Sequence, residues 1–155
     1  MFKAVPFELI DDEEGSVTVG WAGDTSLYAL VEGGLSAKLG GRLAHRVQEL
    51  VQGLSGVHYF GDSALMSRYD LLARSSFVRM ALANRRAFAS FTFLIWPDGV
   101  SSAAQAFADA LGDNVALCTT LAEFERRLLR EAPLARQRLN PASWERFEST
   151  FRTAR

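Results

Sequence analysis

The run Ser90 to Trp96, SFTFLIW, is nearly all apolar. A strand with one wet face alternates apolar and polar residues, because successive side chains point to opposite sides. Here Phe93, Leu94, Ile95 and Trp96 are apolar in succession, so the run reads as a strand covered on both faces by helices. Pro97-Asp98-Gly99 ends it. The surrounding chain has to supply the other strands and the covering helices.

The chain before this run opens with strands. Phe2 to Ile10 is apolar with Pro6 inside it, which reads as an edge strand or extended arm, since proline cannot donate to a ladder. Asp11-Asp12-Glu13-Glu14-Gly15 reads as a solvated turn. Val17, Val19 and Trp21 alternate with Thr18 and Gly20, the period of a half-buried strand, and Leu27 to Glu32 is the next one. Short turns between them predict antiparallel pairing. Gly33-Gly34 reads as a turn. Leu39, Leu43, Val47, Leu50, Val51 and Leu54 then recur at helical spacing, predicting a helix over 37–52 with Ser36 as N-cap and Gly53 as its stop. Gly40-Gly41 weakens its first turns. Val57 to Gly61 reads as a short strand, Asp62 to Tyr69 as a loop, and 71–87 as a helix capped by Asp70.

After the apolar run, Ala104, Phe107, Ala108 and Leu111 mark a short helix. Val115 to Cys118 reads as a strand. Thr120 and Glu123 form a capping box for a helix carrying Leu121, Phe124 and Leu128. Pro133 ends that helix. Asn140-Pro141 begins another, with Trp144, Phe147 and Phe151 on one face. The order predicts an α/β domain with a mixed sheet of five to six strands and crossover helices. Its expected span is 1–132, with 1–15 as an N-terminal strand or arm and 133–155 as a helical extension packed on it.

Composition removes several function classes. The chain of 155 residues has a net charge of −1, so bulk attraction to nucleic acid or an anionic membrane is not expected. One cysteine, Cys118, excludes an internal disulfide framework and a multi-cysteine zinc site. Two histidines without clustered ligands argue against a metal. Neither glycine pair has a phosphate-loop pattern, so no cofactor is expected. No run suits a spanning helix and the N-terminus lacks a signal-peptide layout, which predicts a cytoplasmic protein. The neutral total hides an acidic start, Asp11 to Glu14 with Asp24 and Glu32, and a basic middle, Arg68, Arg74, Arg79, Arg85 and Arg86.

The run LYALVEGGLSAKLGGRLAHRVQELVQG resembles the strand, turn and first helix of STAS domains, the family of the anti-sigma factor antagonists (SpoIIAA-like proteins). The spacing of Asp62 and Asp70, SFTFLIW, AAQAFADALG, NVALCTT and LAEFERRLL follow the family's order over residues 16–130. The resemblance implies a STAS-like protein-interaction module, non-catalytic, in a regulatory complex. In phosphorylated members a serine or threonine follows the second Asp; here that place is Leu71, which has no hydroxyl. A second register puts the Asp-Ser pair at Asp62-Ser63. The sequence therefore reads as a divergent member without the usual phosphoacceptor.

Asp62, Ser63, Asp70, Arg74 and Arg79 are the partner-binding candidates. Each also has a plainer role: Asp70 as N-cap, Asp62 as a strand end, the arginines as a solvated face. His58 with Asp62 and Asp70 suggests acid–base chemistry only weakly, because spacing along a strand does not define a pocket. The expected partner is another protein or a second copy of the chain. The alternative functions are a lipid or small apolar ligand binding module and, last, a small hydrolase. A dry apolar pocket would favour the ligand reading, and convergent polar groups would favour an enzyme.

Overall fold

A computed structural model describes residues 7–95 and 101–139. Its centre is a six-stranded sheet in which spatial order equals chain order, β1 to β6. The strands are β1 (Glu8–Asp11), β2 (Gly15–Trp21), β3 (Ser26–Leu35), β4 (Val57–Tyr69), β5 (Phe88–Leu94) and β6 (Val115–Cys118). The first three pair antiparallel, and β3 through β6 pair in parallel. The sheet is therefore mixed, as the short early turns predict.

Helices α1 (Ala37–Val51), α2 (Leu71–Ala83) and α3 (Ser101–Leu111) connect the parallel strands. The sheet grows in one direction only, so right-handed crossovers put all three connections on one face. Leu39, Leu43, Val47, Phe77, Met80 and Leu111 from these helices share a core with Leu27, Ala29, Val31, Tyr59, Phe91 and Phe93 of the sheet. Helix α4 (Leu121–Glu131) follows the last strand and has no crossover to make. It covers the other face, where Leu121, Phe124 and Leu128 meet Tyr28, Leu30, Phe60 and Leu94. The nearly apolar run of β5 is thus explained: Phe91 and Phe93 belong to one core, Leu94 to the other.

Local chemistry fixes the helix ends. Ser36 accepts from Leu39 N at 3.0 Å, Asp70 from Leu72 N at 2.7 Å, and Thr120 from Glu123 N at 3.3 Å. Asp12, in the acidic turn, accepts from Glu14 N at 2.8 Å and from the Ser36 hydroxyl, tying that turn to the start of α1. These contacts hold the Asp12 carboxyl below its ordinary pKa.

Three expectations need correction. Gly33-Gly34 is not a turn, because β3 continues to Leu35. Gly33 takes φ +75°, and a Cβ there would come within 2.9 Å of the Glu14 carbonyl oxygen. The glycines let the strand bend without leaving the sheet. Asp62 to Tyr69 is not a loop either, since β4 runs through it for 13 residues in all. Two register shifts against β3 each give β4 an extra residue, between Leu30 and Glu32 and between Gly33 and Gly34. Bulges break the two-residue period, which is why this stretch does not read as strand. Helix α2 stops at Ala83, and Arg85–Ala87 forms a single 3₁₀ turn.

Beyond α4 a short helix, α5 (Ala135–Arg138), was not anticipated. Ala135 and Leu139 are buried in the same core as α4. Phe2 to Pro6, Trp96 to Val100 and the aromatic positions Trp144, Phe147 and Phe151 lie outside the described residues. No described helix is long and apolar enough to cross a membrane.

Candidate functional site

The carboxyl ends of β3, β4 and β5 meet helices α1, α2 and α3 around a cavity of about 70 Å³. In open α/β sheets the carboxyl ends of parallel strands are where ligands bind. The bulges of β4 shape this cavity. Gly61, Ser63, Met66 and Tyr69 all line it, a spacing that a regular strand could not deliver to one face. Gly61 has no side chain to fill it; a Cβ there would come within 2.7 Å of the Phe93 ring.

The roof depends on a close helix crossing. A Cβ on Gly40 would stand 2.3 Å from that of Ala73, so α1 and α2 touch backbone to side chain at this point. Gly41, by contrast, has nothing within 4 Å. The glycine pair that weakens α1 locally therefore serves packing at one of its two positions. Phe77 and Phe93 form the apolar wall, with Phe107 stacked on Phe93 at 5.4 Å between ring centroids. Tyr59 is buried among Phe77, Phe91 and Phe93, and burial pushes its phenol far above the ordinary range, so it stays neutral.

The five candidates from the sequence divide between two faces. Ser63 and Arg74 line the cavity, both half-buried. Asp70 is exposed and caps α2. Arg79 is exposed, one turn and more further along α2. Asp62 is fully buried on the opposite face, where it accepts from the Tyr28 hydroxyl at 2.8 Å and from Ala64 N at 3.1 Å. Buried there, it does not reach a surface where a partner could touch it. Asp62 is a mid-strand residue, not a strand end. Leu71, at the place of the family's phosphoacceptor, is 61% exposed, and its neighbour Leu72 is 65% exposed.

His58 is the residue that sequence spacing paired with the wrong groups. Its ring lies 2.7 Å from the Ser90 hydroxyl and 3.4 Å from the Glu131 carboxylate. Those partners are far along the chain, so no local pattern announces them. Cys118 is fully buried in the α4 core, and burial, then the nearby Glu123 charge, push its thiol up to about 11. Among the described residues no group of three or more His, Cys, Asp or Glu could hold a metal ion.

No protein-family profile and no curated protein matches the chain. Solved structures do match. One is the 2.25 Å crystal structure of an uncharacterized protein from the DUF3478 family, from Shewanella loihica PV-4, described as having a SpoIIAA-like fold. It is 9% identical, with a TM-score of 0.54, over 79% of this chain and 91% of that one. The fold is SpoIIAA-like, as the resemblance to STAS domains implies.

Proposed function

We propose that the α1–α2 face of this SpoIIAA-like fold works as a non-catalytic binding module, and that its cavity seats one small apolar group whose acidic end meets Arg74. The observation that carries the reading is the cavity itself: apolar walls, with Ser63, Arg74 and two tyrosines as its polar side chains. Ligand sites combine apolar walls with a few placed polar groups in this way. The size sets the ligand. About 70 Å³ is several times the ~10–15 Å³ that one water needs, yet well below the ~300 Å³ of a drug-sized site. A ring or a short branched chain fits, and a whole lipid does not without α1 and α2 moving apart. Arg74 offers the forked donors suited to a carboxylate.

The test is a thermal-shift and calorimetric screen of benzoate and of straight-chain carboxylates of increasing length. Stabilisation that peaks at short length supports the reading. Arg74→Gln should weaken the best ligand about ten-fold, the loss of one charge-assisted hydrogen bond. Ser63→Leu, which fills the cavity, should abolish binding. Equal binding by wild type and Ser63→Leu would sink the proposal.

A second reading concerns the outer side of α2. Leu71 and Leu72 stand in water beside Asp70, with Arg79 further along the helix. This surface supports contact with a partner protein or a second copy of the chain, the role that the fold's resemblance implies. Its test is whether Leu72→Ser removes a partner co-purified from the native cell while carboxylate binding persists.

A further inference from the structure

Ser90 and His58 are register partners on β5 and β4, and the Ser90 Oγ lies 2.7 Å from His58 Nδ1. The other ring nitrogen, Nε2, is 3.4 Å from Glu131 Oε2 at the end of α4. An ionised carboxylate only accepts, so Glu131 favours the tautomer with its proton on Nε2. That leaves the Nδ1 lone pair facing the serine hydroxyl. A hydroxyl bonded to a base, with the base oriented by a third group, is the arrangement that activates a nucleophile. His58 and Glu131 are 23% and 28% exposed, sheltered yet reachable. Ser90 opens onto a groove of about 200 Å³ between α4 and the β5–β6 edge, which Phe60, Ala116, Arg127 and Arg130 also line.

We propose that Ser90, His58 and Glu131 form a second site that hydrolyses short-chain carboxylic esters. It lies on the opposite face from the α1–α2 cavity and does not depend on the function assigned there. The Ser90 Oγ attacks the ester carbonyl carbon as its proton passes to His58 Nδ1. The bond to the leaving alcohol then breaks, and the alcohol takes that proton. Water attacks the acyl-serine, gives a proton to Nδ1, and Ser90 recovers it as the carboxylic acid leaves. The net reaction is ester plus water to acid plus alcohol. Asp113 and Glu131 line the groove beside Arg127 and Arg130, which pair with Glu123 at 3.6 Å and Glu131 at 3.2 Å; the arginines' remaining N–H groups are the donors that can meet the oxyanion that develops. Ala116 and the edge of buried Phe60 supply the groove's apolar part, which suits a short acyl chain. Glu131 is a positioning residue, since it acts only through His58.

The experiment uses the full chain, a fluorophosphonate probe and p-nitrophenyl acetate. Peptide mapping should find the probe on Ser90 and not on exposed Ser75, which serves as an internal control. Labelling should rise with pH along one sigmoid. Ser90→Ala should abolish labelling and turnover. His58→Gln should lower both at least ~100-fold and flatten the pH profile, the loss of a general base. Glu131→Gln, a milder and partly exposed change, should lower the rate about ten-fold while keeping the melting temperature, so a fold defect in His58→Gln does not decide the matter. A merely structural hydrogen-bond array would shift melting and leave no pH-dependent labelling. Ser90 labelled no faster than Ser75, labelling unchanged in His58→Gln and Glu131→Gln, or labelling without turnover would each overturn the proposal.

Discussion

Gly40 and Gly41 are adjacent in one helix, yet their surroundings differ completely. An added methyl at Gly40 meets Ala73 at 2.3 Å, while one at Gly41 meets nothing within 4 Å. Gly40→Ala should cost about 1–3 kcal/mol through overpacking, and Gly41→Ala should gain about 0.5–1 kcal/mol from helix propensity. Chemical denaturation of the two single variants checks both signs. Cys118 provides a second residue-level expectation. Its thiol is held up to about 11, above the ~8.5 of a free cysteine, so at pH 8 the native protein should react with iodoacetamide at least ~100-fold more slowly than the unfolded chain. The unfolded thiol ionises first, so stability is intact below ~8.5 and falls as pH rises toward about 11. Replacing Cys118 by alanine should remove that alkaline slope, read from melting curves across pH.

At the scale of elements, α2 has two working sides. Ala73, Arg74 and Phe77 face the cavity, while Leu71, Leu72 and Arg79 face water. Arg79→Glu should change stability by less than about 0.5 kcal/mol, because a lone exposed charge contributes little. It should leave carboxylate binding intact and weaken only an acidic protein partner, most at low salt. Arg74→Glu should abolish carboxylate binding. Binding of the small ligand that falls equally in both variants would mean that Arg74 acts through the general field of the helix rather than by contact. This division also shows how far the sequence could be read. Helix faces were legible: the spacing of Leu39, Leu43 and Val47, and the caps Ser36, Asp70 and Thr120, are local signals with local causes. β6 was legible for the same reason. β4 was not, because its bulges depend on what β3 does opposite them, and Gly33 looks like a turn until its partner Gly15 is known. Of the site, Ser63 and Arg74 were named from the chain, but the cavity joining them was not, since Gly40 meets Ala73 only across two helices. Asp62 was misplaced because one step along a strand moves a side chain to the opposite face.

For the whole molecule, the described chain ends by closing the α4 face. Ala135 and Leu139 are buried, and Arg138 reaches Asp24 at 3.1 Å while Arg136 reaches Glu125 at 2.8 Å. We propose that residues 133–155 are an extension packed on the domain. Truncation after Pro133 should lower the melting temperature by about 5 °C or more, since burying Leu139 alone stabilises by about 1.5–3 kcal/mol. An unchanged melting temperature would make the extension a free arm. The order of the sheet has a consequence for synthesis in the cell. Each strand finds its neighbour already made, so the sheet and its first helical layer can assemble in step with the emerging chain. The second layer cannot, because α4 comes only after the last strand. About 60 residues separate Phe60 from Phe124, roughly several seconds of translation at ~5–20 residues per second. During that interval Tyr28, Leu30 and Phe60 form a bare apolar plate at the ribosome exit, awaiting the helix that seals it. A nascent chain stalled before Leu121 is therefore the species that a holdase chaperone should capture, and one stalled well past Leu139 should be released.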